Sequence, residues 1–350
     1  MDSKQYKITK KTLILPILGI LAFIIYLYLF NVDIPTIIAK VREINLPIYL
    51  VAAFLTVFET LFAALSWRSL LNFLSVKLSV VSAYMYTWYG IFVDIIIPAE
   101  SLSSEVARIY LVTREQEGTT GKVVASLVIQ RFIGMSINIA SLTIGAIVLL
   151  TSPQISVAML TLTLFLAFLT ALFFCLLMLL CTKKGLVLKI IDSIIRFASF
   201  ISRGKWNLSR FKQEAVKQAE IFQESMKGFK LGRKALFTSA IFYIFSWALS
   251  LYMVHLVFLS LNFPIRWETI LLTYSIVAGV RAIPLGIPFE VGLPEITMTT
   301  LYVWSGVPFD IAATSTILSR ILTIWLKFFI GFGMQQWLEL KRLKTTSGKK

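Results

Sequence analysis

The chain has 350 residues, 57% of them hydrophobic, and a mean hydropathy of +0.81. Soluble domains rarely exceed half apolar, so the composition excludes an ordinary water-soluble fold and predicts an all-α polytopic membrane protein, one transmembrane domain over 1–350. The net charge of +16 would suit nucleic acid, but the basic residues flank apolar runs, where they set orientation and meet anionic lipid heads. No nucleic-acid-reading module accompanies them, so no nucleic-acid partner is expected.

The first apolar run, about 12–30, follows Lys4, Lys7, Lys10 and Lys11 and shows no cleavage site, which predicts a retained spanning helix. A second run, 46–66, carries Glu59. Residues 81–97 are apolar up to Asp94 and Pro98, then resume through Glu100, Glu105 and Arg108 as an amphipathic stretch to Val112. Proline removes a backbone donor and breaks the helix there. Two more spans are predicted at 122–150, with Arg131 inside, and at 155–181. The second of these holds both cysteines, Cys175 and Cys181, which give no sign of a disulfide framework or zinc site.

Residues 182–234 hold thirteen Lys or Arg. Leu186, Ile190, Ile191, Ile194, Ile195 and Ala198 share one helical face there, opposite Lys189, Asp192 and Arg196. Leu208, Phe211, Ala215, Ala219, Phe222, Met226 and Phe229 form a second face. Two cytoplasmic amphipathic helices are expected, lying in the membrane interface or packed on the bundle. The run 235–260 spans and contains His255, read as a packed or pore-facing imidazole. Residues 267–283 lead past Arg281 to Pro284, Gly286, Pro288, Glu290, Gly292, Pro294 and Glu295, then resume to Trp304. The last span, 310–338, carries Arg320 and Lys327; the lysine reads as snorkelling.

Broken helices persist at membrane depth only where protein or a water-filled cavity satisfies the freed backbone. The two interrupted regions are therefore expected to be re-entrant helical hairpins, beside six spanning helices. This count places the basic N-terminus, the 182–234 loop and the tail (Lys341, Arg342, Lys344, Lys349, Lys350) on the cytoplasmic side of a prokaryotic cell membrane. The opposite side keeps only Lys40, Arg42 and Arg266. Three crossings separate the hairpins, so they enter from opposite faces as an inverted repeat, with units of about 81–150 and 267–338.

The repeat is visible in the residues. Pro98, Glu100, Glu105, Ser126 and Arg131 recur as Pro288, Glu290, Glu295, Ser315 and Arg320. An intramembrane arginine costs about 2.5–3.5 kcal/mol, so each needs a partner. The hairpin glutamates, Glu59 and Asp94 are the available acids. An Arg–Glu clamp pinning each hairpin is one reading. A guanidinium fork facing a cavity, ready for a phosphate, is the other. The substrate-binding or coupling set is expected among Glu59, Asp94, Glu100, Glu105, Arg108, Arg131, Arg281, Glu290, Glu295 and Arg320. No cofactor and no metal are expected: one histidine cannot build a multi-histidine site, and no nucleotide-binding or nucleophile-elbow motif is present.

The hairpins resemble the transmembrane-region family of lysylphosphatidylglycerol synthases, which includes the flippase half of the bacterial multiple-peptide-resistance factor. Glu105-Val-Ala-Arg108 is similar to the family's G-E-x-x-R, with Ser104 replacing glycine. Pro288 to Glu295 is similar to P-G-G-x-G-x-x-E: Pro288, Gly292 and Glu295 match, while Phe289 and Glu290 replace two glycines. Arg320 and the Gly306-Val-Pro308 turn also resemble the family, and the likeness runs over about 10–340.

The resemblance implies a lipid flippase fold with cavities on both sides, not an enzyme. The full synthases' aminoacyl-transferase domain has no counterpart in this sequence. Glu290 adds an acid that suits a cationic or zwitterionic headgroup. The partners implied are membrane lipids, an anionic or zwitterionic phospholipid or a polyprenyl phosphate, and a homo-oligomer is compatible. A carrier of polyprenyl phosphates or lipid-linked sugars, a membrane-embedded transferase and a non-transporting partner of a lipid-modifying enzyme are the alternatives.

Overall fold

In a computed structural model the chain is described over residues 34–97, 102–151, 157–201, 209–229, 231–281 and 292–347. The expected first span at 12–30, and with it Glu100 and Glu290, lie outside the described residues.

The described residues form helices and turns, with no strand among them. In chain order they are α1 (Ile34–Arg42), α2 (Leu46–Phe73), α3 (Val80–Ile96), α4 (Leu102–Glu115), α5 (Thr120–Thr151), α6 (Val157–Thr182), α7 (Lys184–Ile201), α8 (Ser209–Phe229), α9 (Arg233–Ser260), α10 (Trp267–Arg281), α11 (Leu293–Trp304), α12 (Phe309–Arg320), a π-helical segment (Ile321–Leu326) and α13 (Lys327–Ser347). Among the described residues five stretches are long and apolar enough to cross a membrane: Leu46–Phe73, Thr120–Leu150, Val157–Thr182, Arg233–Ser260 and Phe309–Lys341. They coincide with five of the six predicted runs. Large apolar side chains stand exposed along α6, including Phe165, Phe168, Leu172, Phe173 and Leu176, as hydrocarbon-facing residues do.

The spine of the fold is the antiparallel pair α2 and α9. The Asn45 N–H donates to the Ser260 carbonyl at one end (2.8 Å), and Gly232 abuts the Phe73 ring at the other. Between them the Ser66 and Ser239 hydroxyls meet at 2.8 Å, and the Ser246 hydroxyl donates to the Glu59 carbonyl at 2.9 Å. Small residues let the backbones approach, and hydroxyls bond across the seam, as packing without a hydrophobic drive requires. Asn45 caps α2 by accepting from the Ile48 N–H (3.4 Å), and Ser79 caps α3 by accepting from the Ser82 N–H (3.0 Å).

Both interrupted regions fold back on themselves. The turn before α3 lies beside the turn after α4, where the Gln116 side-chain amide donates to the Lys77 carbonyl at 2.7 Å. Gly90 sits at the crossing of these helices: a Cβ there would fall 2.5 Å from the Ser104 hydroxyl. At the other end of the spine, Phe258 near the end of α9 packs edge-on against Tyr302 near the end of α11, centroids 4.9 Å apart. The two helical hairpins thus open toward opposite ends of the α2–α9 pair.

The 182–234 segment forms the two expected amphipathic helices, and α8 packs on the bundle. Its Gln218 side chain accepts from the Gly121 N–H at 2.9 Å, and the backbones are close enough there that only glycine fits. An Asp192–Lys212 ion pair at 2.7 Å ties α7 to α8. His255 is a packed imidazole, stacked on Trp267 with centroids 4.4 Å apart. Cys175 and Cys181 are both free thiols.

Candidate functional site

Each hairpin presents its second repeated glutamate in the first turn of its return helix, Glu105 in α4 and Glu295 in α11. A carboxylate is favoured there by the helix dipole. Each following helix presents its arginine to that glutamate. Arg131 donates through Nε to Glu105 Oε1 at 3.0 Å, and Arg320 donates through Nε to Glu295 Oε1. The repeated serines match as well. Ser126 donates to the Val123 carbonyl and Ser315 to the Ala312 carbonyl, and both are fully buried. The expectation that each arginine faces a glutamate inside the bundle is met in both halves.

The surroundings differ. The Glu295–Arg320 side chains are 1% and 5% exposed, and the other Glu295 oxygen accepts the Gly292 N–H at 2.7 Å. Gly292 adopts φ +109°, which an L side chain rarely tolerates. The Glu105–Arg131 side chains keep 17% and 15% exposure. Beside them Arg108 places its guanidinium 5.1 Å from the Trp67 ring and donates to Gln130 Oε1 at 3.4 Å. Glu105 and Asp94 both supply negative charge to Arg108.

Glu59 meets neither arginine. Its carboxylate accepts from Lys327 Nζ at 2.7 Å, across the contact of α2 with the last helix. Lys327 is therefore an interior ion-pair partner and not a snorkelling lysine; its side chain is only 14% exposed. The π-helical segment explains how one helix serves both acids. Arg320 and Lys327 are seven residues apart and would share a face of a regular α-helix. The π-helical turns between them shift that register. Arg320 then faces α11 while Lys327 faces α2.

Glu59 also borders a cavity of about 150 Å³ between α2, α5, α9 and α10. Gly134 and Asn138 line it one and two turns beyond Arg131, with Tyr243, Ser246, Trp247, Ser250, Tyr274 and Ala278 opposite. Gly134 lets the Tyr243 hydroxyl approach closely: a Cβ would lie 2.5 Å from it, so a larger residue would push the tyrosine aside. Arg281, at the end of α10, is exposed and brings positive charge to Tyr274. Sequence reasoning missed Lys327 as a partner, and missed Asn138, Tyr243 and Tyr274 as lining. A polar face along 131, 134 and 138 was the one available signal.

Comparison with known proteins gives a consistent relationship. The model of the "Lysylphosphatidylglycerol synthase TM region" matches residues 14–331. A UPF0104 membrane protein of Methanocaldococcus jannaschii is 25% identical over 340 residues, covering 94% of this chain and 95% of its own. A UPF0104 membrane protein of Pyrococcus horikoshii is 21% identical over 332 residues, covering 92% and 95%.

Proposed function

The chain belongs to the lysylphosphatidylglycerol synthase transmembrane-region family, and we propose that it moves a phosphate-bearing lipid between the leaflets of a prokaryotic cell membrane without ATP. The observation that carries this reading is the partly exposed Glu105–Arg131 pair with Arg108 beside it, one helical turn from a polar cavity lined by Gly134. Two guanidiniums so placed offer a phosphate a planar, bidentate partner. The polar headgroup passes along the protein interior while the tails stay in lipid.

In this reading residues 12–30 supply the sixth crossing, both hairpins are re-entrant, and both termini are cytoplasmic. The family placement and the opposite-facing hairpins support an inverted repeat with the site near the midplane. Labelling of single cysteines should then reach positions near Thr120 from inside and near Trp304 from outside. Access to both from one side removes the inverted repeat.

Reconstitution tests transport directly. Purified protein in liposomes should equilibrate a phosphate-bearing lipid between leaflets without ATP. Arg131→Lys should slow this more than it lowers the melting temperature, because lysine keeps the charge but loses the fork. A wild-type protein inactive on phospholipids, polyprenyl phosphates and lipid-linked sugars alike overturns the translocator reading and favours a transferase or a partner of one.

A further inference from the structure

We infer that Trp67 and Gln130 are positioning residues: they hold the Arg108 guanidinium by its face and one corner, and so leave its other N–H groups for an anion. The identity of that anion, a lipid phosphate, rests on the translocator reading; the geometry does not.

Arg131, Arg320 and Lys327 each meet a carboxylate in direct contact. Arg108 is held differently. None of the ion pairs among the described residues includes it, and Glu105 and Asp94 act on it from farther away. Its Nε donates to the Ser104 carbonyl and its Nη1 to Gln130 Oε1, both at 3.4 Å. A guanidinium carries five N–H groups, so these two long bonds use only part of its capacity.

Trp67 compensates the charge instead. Its ring centroid lies 5.1 Å from the guanidinium carbon, within cation–π reach. The indole is fully buried, and its Nε1 donates to Ser126 Oγ at 3.0 Å, which fixes the ring against α5. Gln130 is fixed in the same way. Its Nε2 donates to the Ala63 carbonyl of α2 at 2.9 Å, so Oε1 is the atom left to face Arg108. A flipped amide would set donor against donor and acceptor against acceptor.

An intramembrane arginine needs compensation. A carboxylate in contact supplies it, but fills the planar fork and repels an arriving anion. An indole face and an amide oxygen stabilise the cation without net charge and leave the edge of the fork open. Glu105 is already engaged by Arg131 at 3.0 Å. Arg108 is therefore the guanidinium placed to receive the phosphate, while Arg131 occupies the neighbouring acid.

Binding tests this without transport. Purified protein is titrated with dihexanoyl phosphatidate, a soluble phosphate-bearing lipid, by calorimetry, with dihexanoylglycerol as the uncharged control and melting curves alongside. Gln130→Glu brings a carboxylate to Arg108 at almost unchanged volume. It should weaken phosphatidate binding about tenfold or more, while the new ion pair offsets the lost bond to Ala63 and the melting temperature changes little. A glutamine that only packs would lose stability and affinity together, or neither. Trp67→Phe and Trp67→Leu both remove the donor to Ser126, but only phenylalanine keeps a ring face. The leucine variant should bind about three- to tenfold more weakly than the phenylalanine variant.

Wild-type affinity in Gln130→Glu, or equal affinities of the two Trp67 variants, overturns the positioning role and leaves the phosphate reading standing. Wild-type protein that binds phosphatidate no better than dihexanoylglycerol removes both. The expected binding pattern without lipid movement in liposomes keeps the positioning role and removes translocation.

Discussion

The two hairpins draw on one repeated pattern and use it differently. In the second, Glu295 and Arg320 are sealed, and the residue three beyond the glutamate is Met298, itself buried. In the first, Glu105 and Arg131 are partly open, and the corresponding residue is Arg108, which brings a second guanidinium to the pair. Before the arginine stands Ser319 in one half and Gln130, a partner of Arg108, in the other. A few side chains around a shared ion pair thus separate a sealed pair from one that stays partly exposed. The repeat supplies the pairing in both halves, and the neighbours decide its use.

The largest expected effect tests that division. Glu295→Gln takes the carboxylate from a guanidinium that is almost fully buried, and breaking such a pair costs about 3–5 kcal/mol. Glu105→Gln faces more solvent and should cost on the order of 1–2 kcal/mol, while slowing lipid movement in liposomes. Melting and lipid movement are measured on the same samples. Equal stability losses would erase the distinction between clamp and site. A Glu105→Gln protein that is stable and transports at the wild-type rate would remove Glu105 from the proposed ligand path.

Glycines give the next contrast. Each hairpin has one glycine in its first helix, Gly90 in α3 and Gly279 in α10. A Cβ at Gly90 would sit 2.5 Å from the Ser104 hydroxyl and 3.0 Å from its carbonyl, within the return helix of the same hairpin. Gly90→Ala should therefore cost about 1–3 kcal/mol. A Cβ at Gly279 would touch Leu166 of α6 at 3.4 Å, an ordinary contact. Gly279→Ala should be neutral or stabilise by up to about 1 kcal/mol through helix propensity. Losses of the same size at both sites would mean that α10 packs on α6 as tightly as α3 packs on its return helix α4.

Much of this arrangement was legible in the sequence. Run length and apolarity located Leu46–Phe73 and the four other long stretches, and the helices of the interrupted regions end at Ile96 and Arg281, shortly before the prolines that mark the breaks in the sequence. The cost of a bare arginine in hydrocarbon was enough to predict acids beside Arg131 and Arg320. The central contacts were not legible, because they join distant helices. Glu59 and Lys327 are separated by 268 positions, with no spacing to betray them. Asn138 and Tyr274 read as isolated polar residues in apolar runs until their helices meet. The π-helical turns after Arg320 carry no compositional mark, yet they let Lys327 reach α2.

The smallest effect should come from outside both halves. Asp192 pairs with Lys212 at 2.7 Å on side chains about half exposed, between the amphipathic helices α7 and α8. The Lys212 hydrogen bond and charge hold the Asp192 carboxyl below its ordinary range. A group whose folded pKa is depressed adds stability above its unfolded value, about 3.9, and loses it as pH falls through the folded value. Wild type and Asp192→Asn should therefore melt together at low pH and differ only above that window. Solvent and salt screen exposed pairs, so even there the difference should fall within the scatter of replicate melts. Three ion pairs then rank by burial: Arg320, Arg131, Lys212. An Asp192→Asn loss as large as that of Glu105→Gln would break the ranking. It would mean that the clasp of α7 on α8 holds the bundle through α5, where Gln218 meets Gly121, and that burial alone does not set what each pair contributes.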